Sequence, residues 1–273
     1  MKLSEKYRTA LVTGGTSGLG LAFCEALVSE GVSTFSVSRN PDKLPKLSGL
    51  HGMELDLSDL SSVSAFALQF IENHGVPDLL INNAGYGACF EWELFPEEEI
   101  SSQVDVMLKA PSLLCLAFAP AMSKKGFGAI VNVSSLAVQY PLPFLPMYNA
   151  SKAGLSAFSS SLAIEYQGRA PLIIDFRPGD FCTSFNEVAN CSENEASDRA
   201  SMALRVMKDR LQKAPDPSQA ARKLFSALRE GRSGVVYAGN FLQSRVGPIF
   251  QRLLPVTWLH RFVHWYYNLR KER

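Results

Sequence analysis

Thr13-Gly14-Gly15-Thr16-Ser17-Gly18-Leu19-Gly20 separates a short apolar run, Thr9–Thr13, from a periodic segment, Gly18–Glu30. This order of strand, glycine-rich turn and helix constrains the chain more than any other feature. Glycines permit a tight turn and let an anionic group approach the backbone, where the first N–H groups of the new helix are unpaired. The spacing is G-x-x-x-G-x-G rather than G-x-G-x-x-G, and no Gly-Lys-Ser/Thr completes it, so a P-loop nucleotidase is not supported. Gly14, Thr16, Ser17, Gly18, Leu19 and Gly20 are therefore the candidate phosphate-binding residues.

The same alternation continues. Thr34–Val37, Gly52–Leu55, Asp78–Ile81, Ala129–Val133 and Leu172–Phe176 read as buried strands. Leu60–Glu72, Pro96–Met122 and Tyr148–Tyr166 read as helices, with kinks or ends expected at Pro111 and Pro120. Such repetition predicts an α/β protein, a doubly wound Rossmann-type mostly parallel sheet, covered on both faces. With 273 residues, of which 47% are hydrophobic, the chain can fill one such core. The expected organisation is a single domain over 1–240 and a helical C-terminal extension over 241–273.

Composition excludes several classes. Lys and Arg number 27 against 26 Asp and Glu, so a globally basic nucleic-acid binder is not expected. Five cysteines without CxxC spacing suggest reduced thiols, and the four histidines show no ligand pattern, so no metal is expected. No secretory apolar region precedes the first motif, and no uncharged apolar run reaches about 18 residues. The expectation is a cytoplasmic protein without a spanning helix.

The second strand ends in Ser38-Arg39-Asn40. A carboxylate here would hold a ribose 2′-hydroxyl, whereas an arginine suits a 2′-phosphate, so Arg39 favours NADP(H) over NAD(H). Asp56 suits either the adenine amino group or a plain turn.

Tyr148 and Lys152 stand one helical turn apart in Tyr148-Asn149-Ala150-Ser151-Lys152, and Ser135 follows the fifth strand. An ordinary phenol, with a pKa of about 10, exchanges protons poorly near neutrality; a neighbouring ammonium would lower it. Together with the glycine turn, Asn82–Gly85 and Pro178-Gly179-Asp180-Phe181-Cys182-Thr183, these residues resemble the short-chain dehydrogenase/reductase family over roughly residues 8–240. Within it, the pattern is most similar to hydroxysteroid-dehydrogenase-like members. The resemblance implies interconversion of a carbonyl and an alcohol, with Tyr148 as proton donor or acceptor and Ser135 holding the substrate oxygen. It further implies that Lys152 bonds the nicotinamide ribose, that Asn83, Ala84 and Gly85 support the cofactor, and that Pro178, Gly179 and Thr183 meet its carboxamide.

One position departs from the family. Met107 stands where members carry an asparagine that supports a helix distortion and a water relay to the lysine. A thioether cannot make those amide hydrogen bonds. Three outcomes stay open: a relay through the backbone alone, one rebuilt by Asp105 or Lys109, or impaired catalysis. The last would make the chain a weak or inactive dinucleotide-binding sensor or scaffold. An epimerase or dehydratase is a lesser rival.

Tyr86–Phe95, Gln139–Met147 and the segment from Phe181 to Leu211 are the candidate substrate walls, with Met202, Val206 and Met207 under a lid. Their apolar character suggests a lipophilic small-molecule carbonyl or alcohol; the alternative is core or an oligomer interface. A homodimer or homotetramer is the expected assembly. Residues 241–273 carry Arg245, Arg252, Arg261, Arg270, Lys271 and Arg273 against Glu272, a net +5, so the rest of the chain nets −4. As a helix after Pro255, this segment would place Trp258, Leu259, Phe262, Val263, Tyr266 and Leu269 on one face. That face suits peripheral membrane contact, or packing on protein.

Overall fold

The computed structural model describes residues 2–183, 198–240, 255–267 and 269. Seven parallel strands form one sheet in the order β3-β2-β1-β4-β5-β6-β7. They are β1 (Thr9–Thr13), β2 (Ser33–Ser38), β3 (Leu50–Glu54), β4 (Leu79–Asn82), β5 (Ala129–Val133), β6 (Leu172–Pro178) and β7 (Gly234–Ala238). The helices are α1 (Gly18–Ser29), α2 (Leu60–His74), α3 (Glu97–Val104), α4 (Ala110–Lys125), α5 (Pro146–Glu165), α6 (Asp198–Gln212), α7 (Ser218–Glu230) and α8 (Val256–Tyr266).

Period-two alternation sends neighbouring side chains to opposite faces. Ala10, Val12, Leu79, Ile81, Val131 and Ile174 join Phe23 and Leu27 of α1 and Leu224 and Leu228 of α7. Leu11, Leu80, Ile130 and Ile173 instead join Phe66 and Phe70 of α2 and Leu114 and Phe118 of α4. The predicted doubly wound single domain is thus the one formed. Strand order reverses between β1 and β4, which opens a crevice beyond their C-terminal ends.

β7 and α7 have no counterpart in the sequence reading. The helix expected over Pro96–Met122 differs in form, because Asp105–Lys109 is a π turn between α3 and α4. There the Ala110 N–H donates to the Asp105 carbonyl, five residues back. Pro111 has no N–H, so the Met107 carbonyl lacks its ordinary i+4 donor. The distortion expected at Pro111 therefore falls on the turn before it, while Pro120 lies inside α4 and ends nothing. Glu97–Lys125 is long and apolar enough by composition to cross a membrane, but Leu114, Cys115, Phe118 and Met122 cover the sheet.

Candidate active site

The glycine turn sits in the crevice and is braced from β4. Asn83 Nδ2 donates to the carbonyls of Thr13 (3.0 Å) and Gly14 (3.2 Å). Thr13 Oγ1 in turn accepts the N–H groups of Asn83 (3.0 Å) and Ala84 (3.1 Å). Gly14 has φ +70°, and a Cβ there would lie 2.9 Å from Ala84 Cα. Ser17 is the N-cap of α1 but makes no side-chain cap, so it does not take up the free amides of the first turn.

A cleft of about 900 Å3 runs from this turn to the start of α5. Gly14, Thr16, Ser17, Gly18, Leu19, Arg39, Asp56, Asn83, Ala84, Gly85, Pro178, Gly179 and Thr183 all line it, together with Ser135, Tyr148 and Lys152. Gly20 does not. It is buried, and a Cβ there would stand 2.1 Å from the Gly14 carbonyl and 2.5 Å from Asn83 Nδ2. Its lack of a side chain lets α1 close against the turn behind the cleft wall. Asp56 Oδ1 accepts from the Ser58 N–H at 2.9 Å and the Ser58 hydroxyl at 2.8 Å, a turn-forming role at the cleft edge. Lys43, which sequence reasoning overlooked, joins Arg39 and Asn40 on the wall.

At the other end of the cleft, three consecutive residues leaving β5 hold three different groups. The Val133 carbonyl accepts a hydrogen bond from Lys152 Nζ at 2.8 Å. The Ser134 hydroxyl donates to Asp175. The Ser135 hydroxyl hydrogen-bonds the Tyr148 phenol and accepts the Ala137 N–H at 3.0 Å. Tyr148 lies in the first turn of α5, at the positive end of the helix dipole.

Burial dominates both titratable groups. It pushes the Tyr148 phenol above its usual value, opposed by the Ser135 hydrogen bond and reinforced by the charge of Asp180. It pushes Lys152 down to about 8, against the opposing pull of Asp175. The expected lowering of the phenol by Lys152 is not found: the exclusion of water raises it, and the group that lowers it is Ser135.

Beneath these groups lies a buried ionic cluster. Asp175 accepts from Ser156 Oγ and Arg177 Nε, each at 2.8 Å, and Arg177 Nη2 donates to Ser156 Oγ at 2.8 Å. Tyr237 of β7 accepts from Arg177 Nη1 (3.4 Å) and Gln139 Nε2 (3.0 Å).

Met107 is fully buried, and the absent Cβ of Gly85 would lie 3.1 Å from both its Sδ and Lys152 Nζ. The π turn therefore forms without the asparagine. Asp105 and Lys109 pair with each other at 2.7 Å, with Lys109 exposed, and rebuild nothing at the site.

The substrate walls come from three places. The loop before α5 carries Tyr140 and Leu142, and is clamped by Asn149, another residue that sequence reasoning missed. Asn149 Nδ2 donates to the Leu142 carbonyl at 2.8 Å, and its Oδ1 accepts the Leu142 N–H at 3.1 Å. α6 supplies Met207, Arg210 and Leu211, and α8 supplies Phe262, Val263, Tyr266 and Tyr267. Met207 lines the cleft as expected, but Met202 is exposed and Val206 packs behind it. Of the expected lid segment, residues 184–197 lie outside the described residues, as do 241–254 of the C-terminal extension.

The single apolar face expected on α8 is divided. Leu259, Tyr267 and Leu269 are buried, and Val263 and Tyr266 pack with the cluster that holds Tyr148 and Met107. Trp258, Phe262 and Trp265 are turned to solvent.

The family profile described as short chain dehydrogenase matches residues 8–194. The chain belongs to the short-chain dehydrogenase family. Among its relatives within that oxidoreductase family is a 3-ketodihydrosphingosine reductase of Bacteroides thetaiotaomicron. It is 31% identical over 246 residues, with 89% of each chain covered. Solved short-chain dehydrogenases share the fold. One from Burkholderia phymatum, in complex with NAD, superposes with a TM-score of 0.78 at 23% identity, with 98% of each chain covered. A serine dehydrogenase complexed with NADP+ gives 0.74 at 21% identity, covering 86% of this chain and 96% of that one.

Proposed function

We propose that this short-chain dehydrogenase is an NADP(H)-dependent reductase of lipophilic ketones or aldehydes. The observation that carries the reading is the hydrogen bond between Ser135 and Tyr148 at the far end of the cleft that begins at the glycine turn. A dinucleotide fits that turn, because glycine positions bring the backbone close and the Ser17 side chain does not cap α1. Arg39 and Lys43, both cations on the wall beside β2, suit a 2′-phosphate.

When bound, the nicotinamide supplies the hydride. The chain supplies the proton and the geometry. Ser135 holds the substrate oxygen, and Tyr148 donates its phenolic proton to that oxygen as charge develops there. Lys152, fixed by the Val133 carbonyl, holds its ammonium close to the phenol, with Nζ 5.9 Å from the ring centroid. Its charge favours the phenolate left behind. Leu142, Met207, Val263 and Tyr267 exclude water and offer apolar contact to the rest of the substrate. The name of the Bacteroides thetaiotaomicron relative, a 3-ketodihydrosphingosine reductase, supports a lipid ketone.

The test is NADPH oxidation across carbonyl compounds graded by chain length and ring content. Turnover should rise with apolar size, and Tyr148→Phe should lower it by about 10²–10⁴-fold with nucleotide binding retained. Met107 beside Lys152 favours a second reading, a dinucleotide-binding protein without turnover. Tight NADPH binding with no oxidation on any carbonyl would select it.

A further inference from the structure

α8 has two faces with different fates. Inward, Val263, Tyr266 and Tyr267 line the cleft and pack in the cluster that holds Tyr148, and Leu259 is buried. Outward, Trp258, Phe262 and Trp265 stand at i, i+4 and i+7, which places them in one stripe along the helix. Their exposures are 61%, 47% and 75%, large values for the side chains that lose most from hydration. Arg261 is exposed beside them, and α8 contains no acidic residue.

The stripe continues into the cleft. The Phe262 ring lies 6.0 Å from Trp265 and 5.6 Å from Tyr266, centroid to centroid. Phe262 and Tyr266 also line the cleft wall. Arg210 of α6 covers the Tyr266 ring, with its guanidinium carbon 3.5 Å from the centroid. One row of aromatic rings therefore runs from solvent to the cleft wall, flanked by cations.

We infer that the Trp258–Phe262–Trp265 face of α8 seats the protein on an anionic lipid bilayer, with the cleft mouth turned toward the lipid. Charge decides between a bilayer and a second copy of the chain. Arg261 is exposed beside the stripe and α8 holds no acid to pair with it, so two copies meeting through this face would bring like charges together, whereas acidic headgroups would neutralise them. Indole rings interleaved with arginine also match the interfacial zone, where one part of a side chain is dry and another is wet. The seat would let a lipid ketone pass along Phe262 and Tyr266 without crossing water. That last step rests on the reductase reading above; the seat itself does not.

The experiment uses the full chain and vesicles of phosphatidylcholine, with or without phosphatidylserine. Trp92 is the third tryptophan and is also exposed, so a Trp92→Phe background makes emission report on Trp258 and Trp265. Anionic vesicles should float the protein and shift this emission to the blue, and high salt should weaken both effects. Trp258→Ser/Trp265→Ser should reduce vesicle binding at least tenfold, with NADPH binding unchanged as a check of the fold. No flotation with anionic vesicles, or equal flotation of the double variant, overturns the seat. So does a dimer that the double variant dissociates, seen by sedimentation, in a protein that ignores vesicles. For the substrate route, the double variant should lose activity on a long-chain ketone held in vesicles but keep it on a short soluble ketone. Equal losses on both overturn the route. Flotation without reduction of either ketone overturns the reductase reading, and with it the route, while supporting the seat.

Discussion

Asp175 and Arg177, two residues apart on β6, form an ion pair of 2.8 Å on one face of the strand. Both are largely buried, and the carboxylate also accepts the hydroxyls of Ser134 and Ser156. The pair therefore anchors the turn that presents Ser135, and its negative end acts on Lys152. Asp175→Asn leaves a buried guanidinium without its counter-charge, a change that typically costs about 3–5 kcal/mol. The variant should unfold at correspondingly lower denaturant. It should also move the loss of the Lys152 proton to lower pH, because the charge that raises that pKa is gone. A pH–rate profile compared with the denaturation curve separates the two effects.

Lys152 makes stability depend on pH in a direction opposite to that of a surface lysine in an ion pair. The folded chain gives up its proton at about 8, and the unfolded chain near 10.5. Between those values the unfolded state binds more protons, so stability rises with pH. Below 8 the fold carries the whole penalty of an ammonium held out of water. Tyr7, pushed by burial up to about 12, acts in reverse above its usual 10. The expected gain from pH 8 to 10 is on the order of 2 kcal/mol, and Lys152→Met should abolish it. Denaturant titrations at several pH values measure this directly.

Arg39 and Lys43 flank the wall next to β2, where a 2′-phosphate would lie. Replacing both with alanine should weaken NADPH binding by about ten- to a hundredfold, the range of one or two charge-assisted hydrogen bonds. NADH binding should be unchanged. Fluorescence titration with the two nucleotides distinguishes a phosphate site from two ordinary surface cations.

Met107→Asn places an amide beside Lys152 in a fully buried position. Burial of that amide should cost about 1–3 kcal/mol of stability. Turnover should rise if proton supply to Lys152 limits the rate, and the solvent isotope effect should then shrink. An unchanged rate would show that the backbone of the π turn already suffices.

The sequence made the nucleotide half legible because glycine spacing, strand ends and the Tyr148–Lys152 interval are local properties of the chain. Gly20 was harder to assign, since its close contact is to Gly14 and Asn83 across the turn. α7 carries a readable pattern, with Ala220, Ala221, Leu224, Phe225 and Leu228 buried on one side, but it lies next to a polar stretch that obscures its start. β7 is no shorter than β1 or β5, but it is a half-exposed edge strand that follows a long break in the alternation after β6. The split of α8 cannot be read from a helical wheel, because Val263 and Phe262 are equally apolar. Only the position of α6 and of the cleft determines which of them is covered.

α8 follows every catalytic group in the chain. A chain is synthesised from its N-terminus at about 5–20 residues per second. The glycine turn, Ser135, Tyr148 and Lys152 are therefore all synthesised before the wall that shuts them from solvent exists. A frameshift ahead of Val256 would keep every one of these residues in the chain and remove the cleft wall formed by Val263, Tyr266 and Tyr267.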